Sequence, residues 1–252
     1  MASPVNPSIS VDCVIFGFDG KDLLVLLIDF MRSQPIDGKN VIKADQKLPG
    51  SLILENEEID VAANRTLQEL TGLSQAFLRQ FGVFSDPKRI NRDEDLHWIE
   101  KTYGVKVSRI VTITYYALVK IDKSILQPSV EGEVHWQRVQ DIRILAFDHK
   151  HILVKALEVL TQQLLNEPIA FELLQKRFSI RQLQNLYEAI LGFEIDNRNF
   201  RKKVLKFPFL KQLDEKEKDV SHKPARLYRF DKAVYDKEMK HSKLQLNFMR
   251  FY

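Results

Sequence analysis

The stretch NRTLQELTGL, residues 64–73, lies downstream of the turn LPG at 48–50 and reads as the end of a helix. Ile59, Ala62, Ala63, Leu67 and Leu70 recur at helical spacing, and Gly72 follows as a C-cap. Positions 66, 69 and 70 then fall on one helical face, a turn apart. Carboxylates on such a face can gather a divalent ion such as Mg²⁺ or Mn²⁺, which activates water. Here the three positions carry Thr66, Glu69 and Leu70, with Glu57 from the preceding loop. Leucine offers no oxygen and dries the site. Metal-dependent hydrolysis is therefore not expected, and no catalytic residue, metal or cofactor is assigned.

A second group lies at 196–207. With Arg198 at zero on a wheel of about 100° per residue, Arg201 falls near 300° and Lys202 near 40°. Lys206 falls near 80° and Asn199 near 100°, while Phe200, Val204 and Phe207 gather between about 180° and 240°. Leu205 interrupts the basic arc. Asp196 caps a helix that buries one side and offers Asn197, Arg198, Asn199, Arg201, Lys202 and Lys206 on the other. Arg suits guanine O6/N7, Asn suits adenine and Lys suits phosphate, so duplex DNA is the expected partner. Lys223, Arg226 and Arg229, in a following hairpin, suit the DNA backbone or minor groove.

These groups sit in different halves of a 252-residue chain whose net charge is +4. Residues 1–166 hold 19 Lys/Arg and 22 Asp/Glu (−3); residues 167–252 hold 19 and 12 (+7). An acidic half joined to a basic half means that the second approaches a polyanion. No run of 18 apolar residues and no signal peptide is read, which excludes a membrane partner. A single cysteine, Cys13, excludes an internal disulfide framework, and the expected location is cytoplasmic.

The acidic half reads as a hairpin (11–18 and 22–30), a polar loop (31–47), a strand through 47–54 and the helix 57–71. Strands at 81–86 and 109–121 flank a charged loop or short helix, and a last strand precedes a long connecting helix at about 149–166. The basic half reads as three helices and a hairpin. The first starts at Pro168, the second has a capping box of Ser179 and Gln182 and ends at Gly192, and the third follows Asp196. That is the order of a winged helix-turn-helix.

Several motifs, in this order, make the chain similar to the NrtR group of Nudix-related transcriptional regulators. They are LPG with R-x-L-x-E-L-T-G-L, YYAL (115–118), AFDH (146–149), LQNLYEAILG (183–192), RNFRKKV (198–204) and KPARLYRF (223–230). The resemblance implies an α+β chain: an N-terminal Nudix α/β/α sandwich (1–166, connecting helix included), then a C-terminal winged helix-turn-helix domain (167–252). It aligns Ser51, Glu57, Arg65, Thr66, Glu69, Leu70 and Gly72 with a degenerate Nudix box. It implies a homodimeric repressor on a palindromic operator, responding to a small-molecule effector. That effector is a sugar such as a pentose, as in the arabinose-regulator branch with its role in carbohydrate metabolism, or an ADP-ribose-like nucleotide. Lys47, Glu69, Asp86, Arg89 and Arg109 are the implied effector contacts. The alternatives are an active hydrolase of ADP-ribose or a related diphosphate, and a constitutive DNA-binding protein whose Nudix domain only dimerises. Two departures stand out: a longer segment at 90–106 beside the implied pocket, and the tail 244–252.

Overall fold

The computed structural model describes residues 4–36, 39–73, 76–90, 92–121, 132–218 and 223–241; the tail at 244–252 lies outside them. Two compact units divide the chain: residues 1–17 with 24–156, and residues 18–23 with 157–252. The division falls inside the long helix, whereas the sequence reading places it after that helix, at 166. A helix is continuous whatever its two ends pack on, so its sequence carries no boundary mark.

Alternation along β1 (Val5–Phe18) organises the first unit. Val11, Cys13 and Ile15 enter one core with Leu26 and Ile28 of β2 (Leu23–Ile36) and with Ile113, Tyr115 and Ala117 of β6 (Val111–Lys120). Helix α1 (Ile59–Thr71) closes that core with Ala62, Ala63, Leu67 and Leu70, and ends on left-handed Gly72. Because side chains alternate along a strand, Ser10 and Asp12 point to the opposite face. The remaining strands are β3 (Lys39–Lys47), β4 (Gly50–Leu54), β5 (Arg79–Phe84) and β7 (Glu133–Arg138). Their order is β3-β2-β1-β6-β5, with β4 on β1 and β7 on β2. Helix α2 (Asp93–Tyr103) fills the long segment after β5, and α3 (His149–Asn166) follows β7.

Residues 31–36 and 39–47 are not a loop. β2 and β3 pair antiparallel from Ile28↔Lys47 to Ile36↔Lys39. A ladder is made by backbone groups, so a polar stretch without apolar alternation still forms one.

In the second unit, α4 (Ala170–Leu173) is a single turn, not the helix over 168–177 that Pro168 suggests. Leu174 is extended, and Phe178–Ser179 form a short strand, β8, against β10 (Arg226–Phe230). Burial of Leu173, Leu174 and Phe178 outweighs local helix preference here. α5 (Ile180–Leu191) has the expected capping box of Ser179 and Gln182, and Gly192 ends it in the left-handed region. α6 (Asn197–Val204) is capped by the Asp196 carboxylate, which accepts from the Asn199 amide. It stops short of Lys206 because Pro208 disfavours helix at the residue before it. β9 (Leu210–Lys216) pairs with β10, and α7 (Lys232–His241), absent from the sequence reading, follows. Phe171, Phe209, Phe230 and Tyr235 stack into the core that α7 joins.

Candidate functional site

The face of β1 that carries Ser10 and Asp12 opens on a small cavity of about 50 Å³. Lys47, Gly50, Ser51, Arg89, Trp98, Tyr103, Phe147 and His149 also line it. Asp12 is the hub. Its carboxylate accepts from Thr112 Oγ1 at 2.7 Å, lies 3.3 Å from His149 Nε2 and lies 3.5 Å from Arg89 Nη2. His149 Nδ1 accepts from the Leu48 amide at 2.9 Å, so the ring's hydrogen sits on Nε2 and is donated to Asp12. Burial alone would raise the Asp12 carboxyl, but His149, Arg89 and Thr112 together hold it below the usual carboxylate range.

Arg89 is buried and grips Asp148 through both edges of its fork: Nε to Oδ2 at 3.0 Å and Nη2 to Oδ1 at 2.8 Å. Lys47, 2% exposed, donates to the Gly50 carbonyl and stands 4.9 Å from the Trp98 ring centroid. Phe30, Trp98 and Phe147 form an aromatic group beside it. Phe147 has φ of 56°, a left-handed conformation that costs a β-carbon residue about 1–3 kcal/mol. The Ala146 amide bonded to the Gln46 carbonyl, and the packed ring, hold it there. The arrangement offers cations, a carboxylate and aromatic faces to a small polar molecule.

Gly50 faces Asp12 across the β1–β4 pairing, and a β-carbon there would overlap the Asp12 carboxylate. That carboxylate is tied to three partners and cannot swing aside. Gly50→Ala is expected to lower stability by about 1–3 kcal/mol. Chemical denaturation checks this; an unchanged midpoint would show that the carboxylate has room to move.

Of the five implied effector contacts, Lys47 and Arg89 line the cavity; Glu69, Asp86 and Arg109 do not. Asp86 is exposed in a turn, accepting from the Lys88 amide, and exposed Arg109 donates to the Ser85 carbonyl. Glu69 is largely exposed beside Arg65. The sequence reading misses Asp12, Trp98, Phe147, Asp148 and His149 as site residues. A lone carboxylate inside the apolar run VDCVIF was the available signal.

The box is held together by Arg65, whose guanidinium donates to both oxygens of Glu57, to Glu69 and to the Leu52 carbonyl. Arg65, with the Leu54 amide, holds the Glu57 carboxyl below its usual value. Thr66 and Leu70 do not share a ligand-facing surface with Glu69, as the spacing suggested. Both are buried, and Leu70 belongs to the sheet core. A divalent ion needs several convergent oxygens. The remaining carboxylates are bound to Arg65, and no group of three or more candidate ligands occurs among the described residues. These residues do not fit a catalytic metal.

In the second unit, Phe200 and Val204 of α6 are buried, while Asn197, Arg198, Asn199, Arg201 and Lys202 are exposed. Lys206 is exposed too, just past the helix end. Gln184 Nε2 donates to the Ile195 carbonyl and to Glu188, which accepts the Ile195 amide, so the turn before α6 is pinned to α5. On the β9–β10 hairpin, Arg226 is paired with Lys216 and Arg229 with Lys211. Directly opposed like charges destabilise a strand pair. Lys216, Lys223, Arg226 and Arg229 are exposed.

Residues 170–230 match the family model of the NrtR DNA-binding winged helix domain. Over these residues the chain is similar to that DNA-binding domain. It is 29% identical over 237 residues to the ADPR responsive transcriptional repressor NtrR of Acinetobacter baylyi, covering 92% of this chain and 85% of that one. Crystal structures of Shewanella oneidensis NrtR share the fold. One is 27% identical with a TM-score of 0.63, over 88% of this chain and 93% of its own. Another, bound to a 27mer DNA, is 24% identical with a TM-score of 0.64, over 90% and 95%. The architecture is thus a Nudix-like α/β domain followed by a winged helix domain. Among the described residues, no helix is long and apolar enough to cross a membrane.

Proposed function

We propose that the chain is a transcriptional repressor: the winged helix holds duplex DNA, and the Nudix-like cavity binds a small-molecule effector. The wing carries the DNA half of this reading. The like charges of Arg226 and Lys216, set opposite each other, lower the stability of the free hairpin, and a polyanion beside them removes that cost. The exposed Arg and Asn side chains of α6 supply groups that read base edges. A homodimer on a palindromic operator follows from the need to place two recognition helices on one duplex face.

The effector is of the ADP-ribose type. Lys47 and Arg89 suit phosphates, the Trp98 and Phe147 rings suit a base, and the Acinetobacter relative is a repressor responsive to that compound. A second reading, a pentose or related neutral sugar, rests on the carboxylates that already neutralise Arg89. Hydrolysis is lost, because the box carboxylates serve Arg65 and the other two positions are buried.

Fluorescence anisotropy with DNA from the chain's own upstream region tests the reading. Affinity is expected to fall by about 10³-fold between 50 and 200 mM salt, and further when ADP-ribose or L-arabinose is added. Salt-independent binding would sink the DNA reading; binding that no effector alters would leave the cavity a scaffold. Mg²⁺-dependent turnover of ADP-ribose that Glu69→Gln abolishes would restore the hydrolase.

A further inference from the structure

Three consecutive residues join the cavity to the start of α3, and two of them, Phe147 and His149, line it. Phe147 lines the cavity in a left-handed conformation, Asp148 holds Arg89, and His149 joins Asp12 to the Leu48 amide. Asp148 also begins the helix: its carbonyl accepts from the amides of His151 at 2.8 Å and Ile152 at 3.2 Å. α3 starts in the first unit and ends in the second. A change at residues 147–149 is therefore a change at one end of a helix whose other end lies with the winged helix domain.

Arg89 is where a ligand would make that change. Its guanidinium lines the cavity, is 5% exposed and serves two carboxylates, Asp148 in fork geometry and Asp12 more distantly. An arriving phosphate is a third anion around one buried cation. Three anions cannot all be compensated by it, and a phosphate accepts the same two-pronged grip as a carboxylate. Asp148 is the partner that can leave, being 14% exposed against 7% for Asp12, which His149 and Thr112 also hold.

We propose that Arg89 is an exchange latch: the anionic group of the effector and Asp148 compete for its guanidinium. Loss of the Arg89–Asp148 pair is the event by which occupancy loosens the first turn of α3. The proposal rests on the ADP-ribose reading above, and a neutral sugar would leave the pair intact. The effector shifts the protein because it binds the unlatched form more tightly than the latched one.

Asp148→Asn keeps the shape and removes the competing charge. In the full chain, ADP-ribose is expected to bind this variant about fivefold or more tighter than wild type, while L-arabinose affinity does not rise. DNA affinity without effector is expected to drop toward that of effector-saturated wild type. A merely structural role would weaken binding instead, so equal or weaker ADP-ribose binding overturns the latch. Hydrogen exchange on the wild type makes the test independent of the variant's folding. The amides of His151 and Ile152 are expected to exchange about tenfold faster on saturation with ADP-ribose, and unchanged rates overturn the proposal. Failure of ADP-ribose to bind wild type at all overturns both the effector reading and the latch; binding without these responses overturns the latch alone.

Discussion

Asp12→Ala is expected to cost about 3–5 kcal/mol of folding stability, the usual penalty for removing one partner from a buried charge cluster. Asp12 is buried, and its loss leaves Arg89 with Asp148 alone, His149 Nε2 without its acceptor and Thr112 Oγ1 with only the Ser10 carbonyl. The penalty depends on pH in a defined direction. The folded-state pKa of Asp12 is depressed, so its stabilisation is complete above the unfolded value of about 4 and drains away as pH falls below it. Urea unfolding of wild type and variant at pH 7, and at steps below pH 4, measures the difference. It should shrink as the solution is acidified. A penalty that is constant with pH would mean that Asp12 acts by packing and not by charge.

The paired substitution Arg198→Ala, Arg201→Ala is expected to weaken binding to the chain's own operator by about 10²- to 10³-fold. A bidentate arginine–guanine contact is worth about 1–3 kcal/mol, and 1.4 kcal/mol is tenfold. Both side chains are exposed, and the apolar side of α6 is made by Phe200 and Val204, so thermal stability should change by less than about 0.5 kcal/mol. Asp196 and the Gln184–Glu188–Ile195 bonds still fix the helix in place. Anisotropy titrations against operator and scrambled DNA separate the effects: loss confined to operator marks base reading, and equal loss on both marks phosphate contact. Intact operator binding by a folded variant would remove α6 as the recognition helix.

How far the sequence reached depends on the range of the interaction concerned. Local signals were read correctly. The capping box of Ser179 and Gln182, the left-handed glycines 72 and 192, and the Asp196 cap each involve residues a few positions apart. The apolar side of α6 follows from helical periodicity alone. The failures came where a distant partner decides. The ladder of residues 39–47 exists because β2 lies opposite it, and β8 breaks a helical segment because β10 accepts it as an edge strand.

The candidate site shows the same division more sharply. By itself, the sequence determined that positions 66 and 70 carry threonine and leucine and not carboxylates, that a basic helix follows Asp196, and that the two halves differ in charge. Only the tertiary structure decided which residues meet in the cavity. Asp12, Arg89, Thr112 and His149 are separated by up to 137 positions in the chain and converge on one carboxylate because β1, β6, the loop before α2 and the start of α3 are brought together. It also turned Glu69 away from the cavity and set Lys216 against Arg226. Helix capping is a short-range interaction, written in neighbouring residues. Convergence of charges is set by strand register and burial, which no single segment encodes.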